Sequence, residues 1–127
     1  MPLVRIDLRK GKPEAYKKAI CDGVYRAMRE TFNVPDEDRF MVVSEHEPDA
    51  MVFSKTYMGI ERSDDCVFLQ LTVSNTRSQE QKKALYARIV ALLGENPGLR
   101  PQDVFINLVQ VTTEDWSFGN GIAQYVA

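Results

Sequence analysis

Pro2, Asp38 and Arg77 are the residues of this chain whose chemistry reaches furthest. Pro2 follows Met1 and leads into Leu3-Val4-Arg5-Ile6-Asp7-Leu8. Initiator methionine is trimmed when the next residue is small, so the expected mature chain opens on a free proline, a secondary amine whose geometry the ring fixes. An α-amine has an ordinary pKa of about 7.7–8.0, so a modest change of surroundings makes it a base or an acid near neutrality. A retained Met1 would instead turn the same nitrogen into an inert amide. Arg77 at the mouth of a pocket would be a bidentate clamp for a carboxylate; the plainer reading is a surface arginine near a helix start. Asp38 either begins a strand or lies beside the amine, orienting water or polarising a carbonyl.

Other reactive types offer less. The sole histidine, His46, sits in the acidic run Glu45-His46-Glu47-Pro48-Asp49 without metal-ligand spacing and reads as solvated surface. A Ser-His-Asp or Cys-His arrangement would have to use that loop residue as its base. Gly119-Asn120-Gly121 lacks the third glycine and the strand-to-helix setting of a dinucleotide fingerprint and reads as a hairpin turn. Lys82-Lys83 reads as a solvated helix face. Cys21 and Cys66 show neither CxxC spacing nor a secreted framework, which predicts reduced core or near-core thiols in a cytoplasmic protein.

The chain has 127 residues, a length that predicts one small soluble domain over residues 1–127. A formal net charge of −2 supplies no basic patch, so neither nucleic acid nor an anionic membrane is an expected partner. No apolar run approaches the roughly 18 residues of a membrane span, and charge by Arg5 and Asp7 argues against a signal peptide.

Holding a reactive amine requires a rigid frame, and the sequence supplies one twice. Shifted by 65 residues, Lys17-Lys18-Ala19-Ile20 falls on Lys82-Lys83-Ala84-Leu85 and Asp38-Arg39-Phe40 on Asp103-Val104-Phe105. The apolar pattern survives the shift throughout, which predicts two halves of one architecture, about 1–44 and 67–111, followed by a tail at 112–127. In the first half Leu3–Arg9 alternates as a strand, Pro13 takes the first helical position, and Tyr16, Ala19, Ile20, Val24, Ala27 and Met28 mark one helix face. Asn33-Val34-Pro35 ends that helix and Arg39–Ser44 returns as a strand. In the second half Val67–Ser74 is a strand and Ser78 with Gln81 a capping box. Leu85, Ile89, Leu92 and Leu93 form the buried face, Asn96-Pro97-Gly98 breaks the helix, and Val104–Val111 closes. The expected fold class is α+β: two consecutive βαβ units with right-handed crossovers, forming a four-stranded sheet with both helices on one face. The other face is then bare and apolar, and another subunit must cover it. The linker is expected to hold a short strand near Met51–Tyr57, and the aromatic, glycine-rich tail Asp115–Tyr125 a β-hairpin or ribbon laid on a neighbour.

Several motifs together resemble a known family. They are Met1-Pro2-Leu3 through Asp7-Leu8, Val34-Pro35-Asp36-Glu37-Asp38-Arg39-Phe40, Gly59-Ile60-Glu61-Arg62-Ser63, Arg77-Ser78-Gln79-Glu80-Gln81-Lys82, Asp103-Val104-Phe105-Ile106 and Asp115-Trp116-Ser117-Phe118-Gly119. They are similar to the tautomerase superfamily, above all to its malonate semialdehyde decarboxylase branch and the fused-length relatives. The resemblance implies a cofactor-independent homotrimer acting on a small carboxylate substrate. By the same resemblance Pro2 is the acid or base and Asp38 the carboxylate that activates water or polarises the carbonyl. Arg77 is the second of two substrate-gripping arginines, and Trp116 and Phe118 are the aromatic wall. Asn75 departs from the pattern, standing where the decarboxylases have the first arginine; a hydrogen bond replaces a cationic contact there.

Apolar walls and a nearby Arg77 both disfavour a protonated amine and make it a base, whereas Asp38 pushes it towards an acid. A base moves a proton between carbon and oxygen of an enol, which is tautomerisation. An acid beside Asp38 and water supports hydration, and a polarised 3-oxo acid loses carbon dioxide. The leading expectation is a tautomerase-type enzyme on small 2-oxo or 3-oxo carboxylates. A decarboxylase or hydratase lyase is second, and a non-catalytic trimeric binding protein third, if Met1 is retained.

Overall fold

The computed structural model describes residues 2–126. Strands β1 (Leu3–Arg9), β2 (Phe40–His46), β3 (Val67–Ser74) and β4 (Val104–Val111) alternate with helices α1 (Glu14–Phe32) and α2 (Gln79–Glu95). Along the sheet the order is β2-β1-β3-β4; β1–β2 and β3–β4 are parallel, and β1 and β3 join the two βαβ units antiparallel. Strand alternation sends Val4, Ile6 and Leu8 of β1 and Val67, Leu69, Leu71 and Val73 of β3 to a single core. Both helices close that core, α1 through Ile20, Val24, Ala27, Met28 and Phe32 and α2 through Leu85, Ile89, Leu92 and Leu93. No helix among the described residues is long and apolar enough to cross a membrane.

Side chains define the helix ends. Pro13 stands one residue earlier than expected, as the N-cap of α1: its φ of −67° suits a first helical residue, but a ψ of 162° leaves it extended. Asn33 ends α1 in the left-handed region at φ 53°. At α2 the capping box is complete: Ser78 Oγ accepts from Gln81 N at 3.1 Å and Gln81 Oε1 accepts from Ser78 N at 3.0 Å. Ser78→Ala is expected to cost about 1 kcal/mol, read as a lower urea midpoint at unchanged slope. An unchanged midpoint would show that the cap does not hold α2.

β2 begins and ends later than Arg39–Ser44. Arg39 N is committed to Glu37 O at 2.8 Å in a turn, while the parallel ladder continues to Arg9 opposite His46. His46 is therefore a strand residue rather than solvated loop. It is half-buried, with Nε2 2.6 Å from Asp7 Oδ1. The face away from the helices is mixed, not simply apolar. A row of Phe40, Leu3, Thr72 and Val109 lies at one end, and a row of Val42, Arg5, Gln70 and Asn107 follows it, with Gln70 Nε2 donating to Asn107 Oδ1 at 3.0 Å.

Among the described residues, the linker and the tail form no strand. Residues 48–50 and 57–59 are single 3₁₀ turns, because distant side chains take up the segment's polar groups. Arg9 Nη2 donates to Met51 O at 3.0 Å, and buried Asp103 accepts from Ser63 N and Oγ at 2.7 Å each. In the tail Gly119-Asn120-Gly121 does turn the chain, at φ 142°, 61° and 68°, but no strand flanks it. Both thiols sit in or against the core: burial pushes Cys66 up to about 11 and also raises Cys21, so they stay protonated and unreactive at neutral pH.

Candidate active site

Sheet topology gathers three distant stretches at the Pro2 end of β1. The parallel register sets Leu3 opposite Phe40, which brings the turn carrying Asp38 to that end. The antiparallel register sets Leu3 opposite Thr72, which brings the exit of β3 and the turn Asn75–Arg77. β4 leaves the sheet with Val111 opposite Ser74, and the tail folds back from there. Thr112 and Asp115 start the return: Asp115 Oδ2 accepts from Thr112 N at 2.7 Å and Oγ1 at 2.8 Å, holding that carboxyl below its ordinary range.

The result is a cleft of about 240 Å³ lined by Pro2, Leu3, Phe40, Trp116, Ser117 and Phe118. Pro2 is buried at its floor. Trp116 and Phe118 stack at 5.6 Å with ring planes 5° apart, and Trp116 Nε1 is anchored to Ser74 Oγ at 3.2 Å. Phe118 also meets Phe40 at 6.1 Å and the edge of Tyr125 at 5.1 Å. The aromatic pair expected from the sequence thus stands beside Pro2. Phe40 and Tyr125 belong to the same cluster and were not singled out. Their only sequence signals are the first position of β2 and the aromatic density of the tail.

Arg77 is half-buried and held firmly. Nη2 donates to Phe32 O at 3.0 Å, Nη1 donates to Thr76 Oγ1 at 2.9 Å, and the guanidinium lies 4.9 Å from the Phe32 ring centroid. It thereby satisfies one of the carbonyls that the end of α1 leaves unpaired. Burial pulls its pKa below the ordinary arginine value, against the opposing influence of Tyr125 and Asp38. Those two influences put Arg77, Asp38 and Tyr125 in one electrostatic group. Asp38 itself is half-buried in a turn closed by Asp38 N donating to Pro35 O at 3.2 Å. The structure thus joins Pro2, Trp116 and Phe118 in the cleft; Asp38 and Arg77 do not line it, although both act electrostatically on Tyr125, whose ring edge meets Phe118. Asn75 is not among the cleft residues; its backbone N binds Val111 O at 2.8 Å and the residue is exposed.

A second cavity of about 250 Å³ lies at the far end of β1, lined in part by Arg9, Lys10, Lys12, Tyr16, Asp64 and Asp65. Its cations are matched within the chain, Arg9 to Asp64 at 2.9 Å, Lys12 to Asp65 at 2.8 Å and Lys10 to Glu47 at 2.7 Å. Cavity size therefore does not choose between the two ends; chemistry favours the cleft at Pro2.

Comparison with known proteins bears on the same region. Two family models described as tautomerase enzyme match residues 2–60 and 38–119. "Probable tautomerase YusQ" of Bacillus subtilis (strain 168) is 38% identical over 126 residues, covering 99% of both chains. "Probable tautomerase YrdN" of the same organism is 33% identical, covering 99% of this chain and 97% of that one. A crystal structure of malonate semialdehyde decarboxylase, described with decarboxylase and hydratase activities, superposes with a TM-score of 0.92 at 38% identity, over 98% of this chain and 95% of that one. A fused 4-OT symmetric trimer, at 19% identity and a TM-score of 0.79 over 98% of each chain, shares the fold. Since one of the models takes in the cleft from Asp38 to Phe118, and relatives above 30% identity run the whole length, this chain belongs to the tautomerase family.

Proposed function

We propose that this protein is a tautomerase-type enzyme whose Pro2 amine moves a proton on small 2-oxo or 3-oxo carboxylates, interconverting keto and enol forms. The observation that carries the reading is Pro2 buried at the floor of an aromatic cleft walled by the stacked Trp116–Phe118 pair. In this mechanism Trp116 and Phe118 keep water from the reacting carbon. Arg77 holds the carboxylate, Asn75 adds a hydrogen bond, and Asp38 orients the carbonyl or a water. A neutral amine takes the proton from carbon and returns it at oxygen or the reverse, so no redox step is needed. Turnover of enol-phenylpyruvate, followed by loss of the enol absorbance, tests the reading; a rate no greater than in buffer would remove it.

A lyase is the second reading, favoured by the 38% identity to malonate semialdehyde decarboxylase. Asn75 weighs against it, because one cation fewer polarises a 3-oxo acid less. A trimeric binding protein would follow only if Met1 stays on; Met1 lies outside the described residues, and intact-protein mass decides the point. We also read residues 1–127 as one unit of two repeated halves, since both βαβ units share one core.

The assembly we propose is a homotrimer. Leu3, Phe40, Val42, Phe105 and Val109 are exposed on the sheet face opposite the helices, and Ile122, Tyr125 and Val126 on the tail. A second copy covering them removes that apolar surface from water. Light scattering at micromolar concentration is expected to give three times the 14.5 kDa chain mass; a monomer would contradict it.

A further inference from the structure

The repeat continues past the strands into the linker and the tail. Under the same shift, the 3₁₀ turn Pro48–Ala50 falls on Thr113–Asp115, and Phe53 falls on Phe118. The ladder pair Leu3–Phe40 beside Pro2 falls on the ladder pair Phe68–Phe105. Asp38 N closes its turn onto Pro35 O, and Asp103 N closes the matching turn onto Arg100 O at 3.0 Å. The linker therefore stands to the second βαβ unit as the tail stands to the first. A cleft of about 290 Å³ lies where this equivalence places it, lined in part by Phe53, Tyr57, Arg62, Phe68 and Phe105. Phe53 meets Phe68 edge-on at 6.0 Å, and Phe68 meets Phe105 at 5.3 Å. Phe105, like Phe40 in the first cleft, belongs both to the cleft and to the sheet face that the proposed trimer covers.

We infer that this second cleft is a non-catalytic binding site for a small aryl carboxylate, gripped by Arg62. The reactive end of the first cleft is missing here. Val67 stands where Pro2 stands, and its nitrogen is a peptide amide inside the chain. Asp103, the mate of Asp38, is buried and spends its carboxylate on Ser63 N and Oγ and on Arg100. Neither can exchange a proton with a bound molecule. Binding groups remain. Arg62 is half-buried, and its Nη1 donates to Ser54 O, Tyr57 O and Ile60 O at 3.3, 3.2 and 3.3 Å, which fixes the guanidinium. Its Nε and Nη2 make no hydrogen bond among the described residues, and no ion pair among them includes it. The cations over the Phe53 ring, Arg9 and Lys55, are both matched by Asp64. Arg62 is thus the charge that the cleft has left to offer. A carboxylate supplies its counter-charge, and the phenylalanine wall takes the ring.

Amide NMR spectra of the assembled protein, titrated with two probes, test the site. Phenylacetate carries the carboxylate; phenylacetamide keeps the ring and loses the charge. Signals of Phe53, Tyr57 and Arg62 report on the second cleft, and those of Trp116, Ser117 and Phe118 on the first. Phenylacetate is expected to move the second-cleft signals in the wild type and to bind there about 10-fold more weakly in Arg62→Gln, the scale of one hydrogen bond to a charged group. Phenylacetamide is expected to change there by less than about 3-fold, because it brings no charge to the contact. Arg62 also fastens the linker, so Val52→Asp serves as a second variant: Val52 lines the cleft and is 83% exposed. A carboxylate at that position is expected to weaken phenylacetate at least about 3-fold by like-charge repulsion and to leave phenylacetamide unchanged. Equal changes for the two probes would overturn the inference. So would second-cleft signals that neither probe moves, which would mean that a neighbouring copy fills the cleft. Movement of the first-cleft signals alone would overturn it and leave the reading of the Pro2 cleft intact. Absence of enol-phenylpyruvate turnover, with the second-cleft signals still responding to phenylacetate, would remove the proposed reaction and leave the second cleft standing.

Discussion

Pro2→Ala is expected to lower kcat/KM for enol-phenylpyruvate by at least about 100-fold, the lower end of what a positioned acid or base contributes. The loss is incomplete because the processed variant still presents an α-amine, now primary and freer to rotate. Pro2 is buried between the start of β1 and the stacked Trp116–Phe118 pair, so the ring and the strand together aim its nitrogen along one direction. Alanine keeps the strand and gives up the ring. Intact mass must show that both proteins begin at residue 2, because a retained methionine would abolish the amine in either. Full turnover by a correctly processed Pro2→Ala protein would mean that the proton moves elsewhere in the cleft, and Asp38 would be the next residue to replace.

How legible this architecture is from sequence depends on how local its causes are. β1, β3 and β4 occupy Leu3–Arg9, Val67–Ser74 and Val104–Val111, as alternation predicts, because a strand with one face in a core must alternate. The Ser78–Gln81 cap and the Asn33 stop are likewise legible, since each is settled within a few residues. The linker was misread because its partners lie far away. Ser63 is fixed by Asp103 and the segment around Met51 by Arg9, contacts spanning about 40 residues that no local pattern encodes. The tail was misread for a related reason. Its glycines do turn the chain, but the Gln124 amide closes the loop where a second strand was expected, and a glutamine is silent in a pattern search. His46 looked like surface because acidic neighbours surround it in sequence; in space it faces Asp7 across the sheet. Within the site, Pro2, Trp116 and Phe118 were legible as a group. The involvement of Phe40 and Tyr125 depends on the register and on the tail's return.

Arg77→Ala is expected to reduce kcat/KM for a carboxylate substrate by roughly 10–150-fold, corresponding to about 1.5–3 kcal/mol for a charge-assisted contact. Arg77 also caps α1 through Phe32 O and stacks on the Phe32 ring, so part of any loss could come from the frame. An ester of the same substrate separates the two effects. If Arg77 grips the carboxylate, the ester loses far less; equal losses would assign Arg77 to the support of α1 alone. The same substitution has an optical consequence with a defined sign. Arg77 pulls the Tyr125 phenol down while burial and Asp38 push it up, so removing the guanidinium should raise the pH at which that phenolate absorbs. Asn75→Arg tests the complementary position. Asn75 is exposed on the turn that carries Arg77, so an arginine there has room, and a second cation would draw electrons from a 3-oxo group as carbon dioxide leaves. Malonate semialdehyde turnover should therefore rise in Asn75→Arg and fall again when Arg77 is also replaced. An Asn75→Arg protein that folds, keeps its tautomerase rate and gains no decarboxylation would show that the choice between the two reactions is made on the Asp38 side of the cleft.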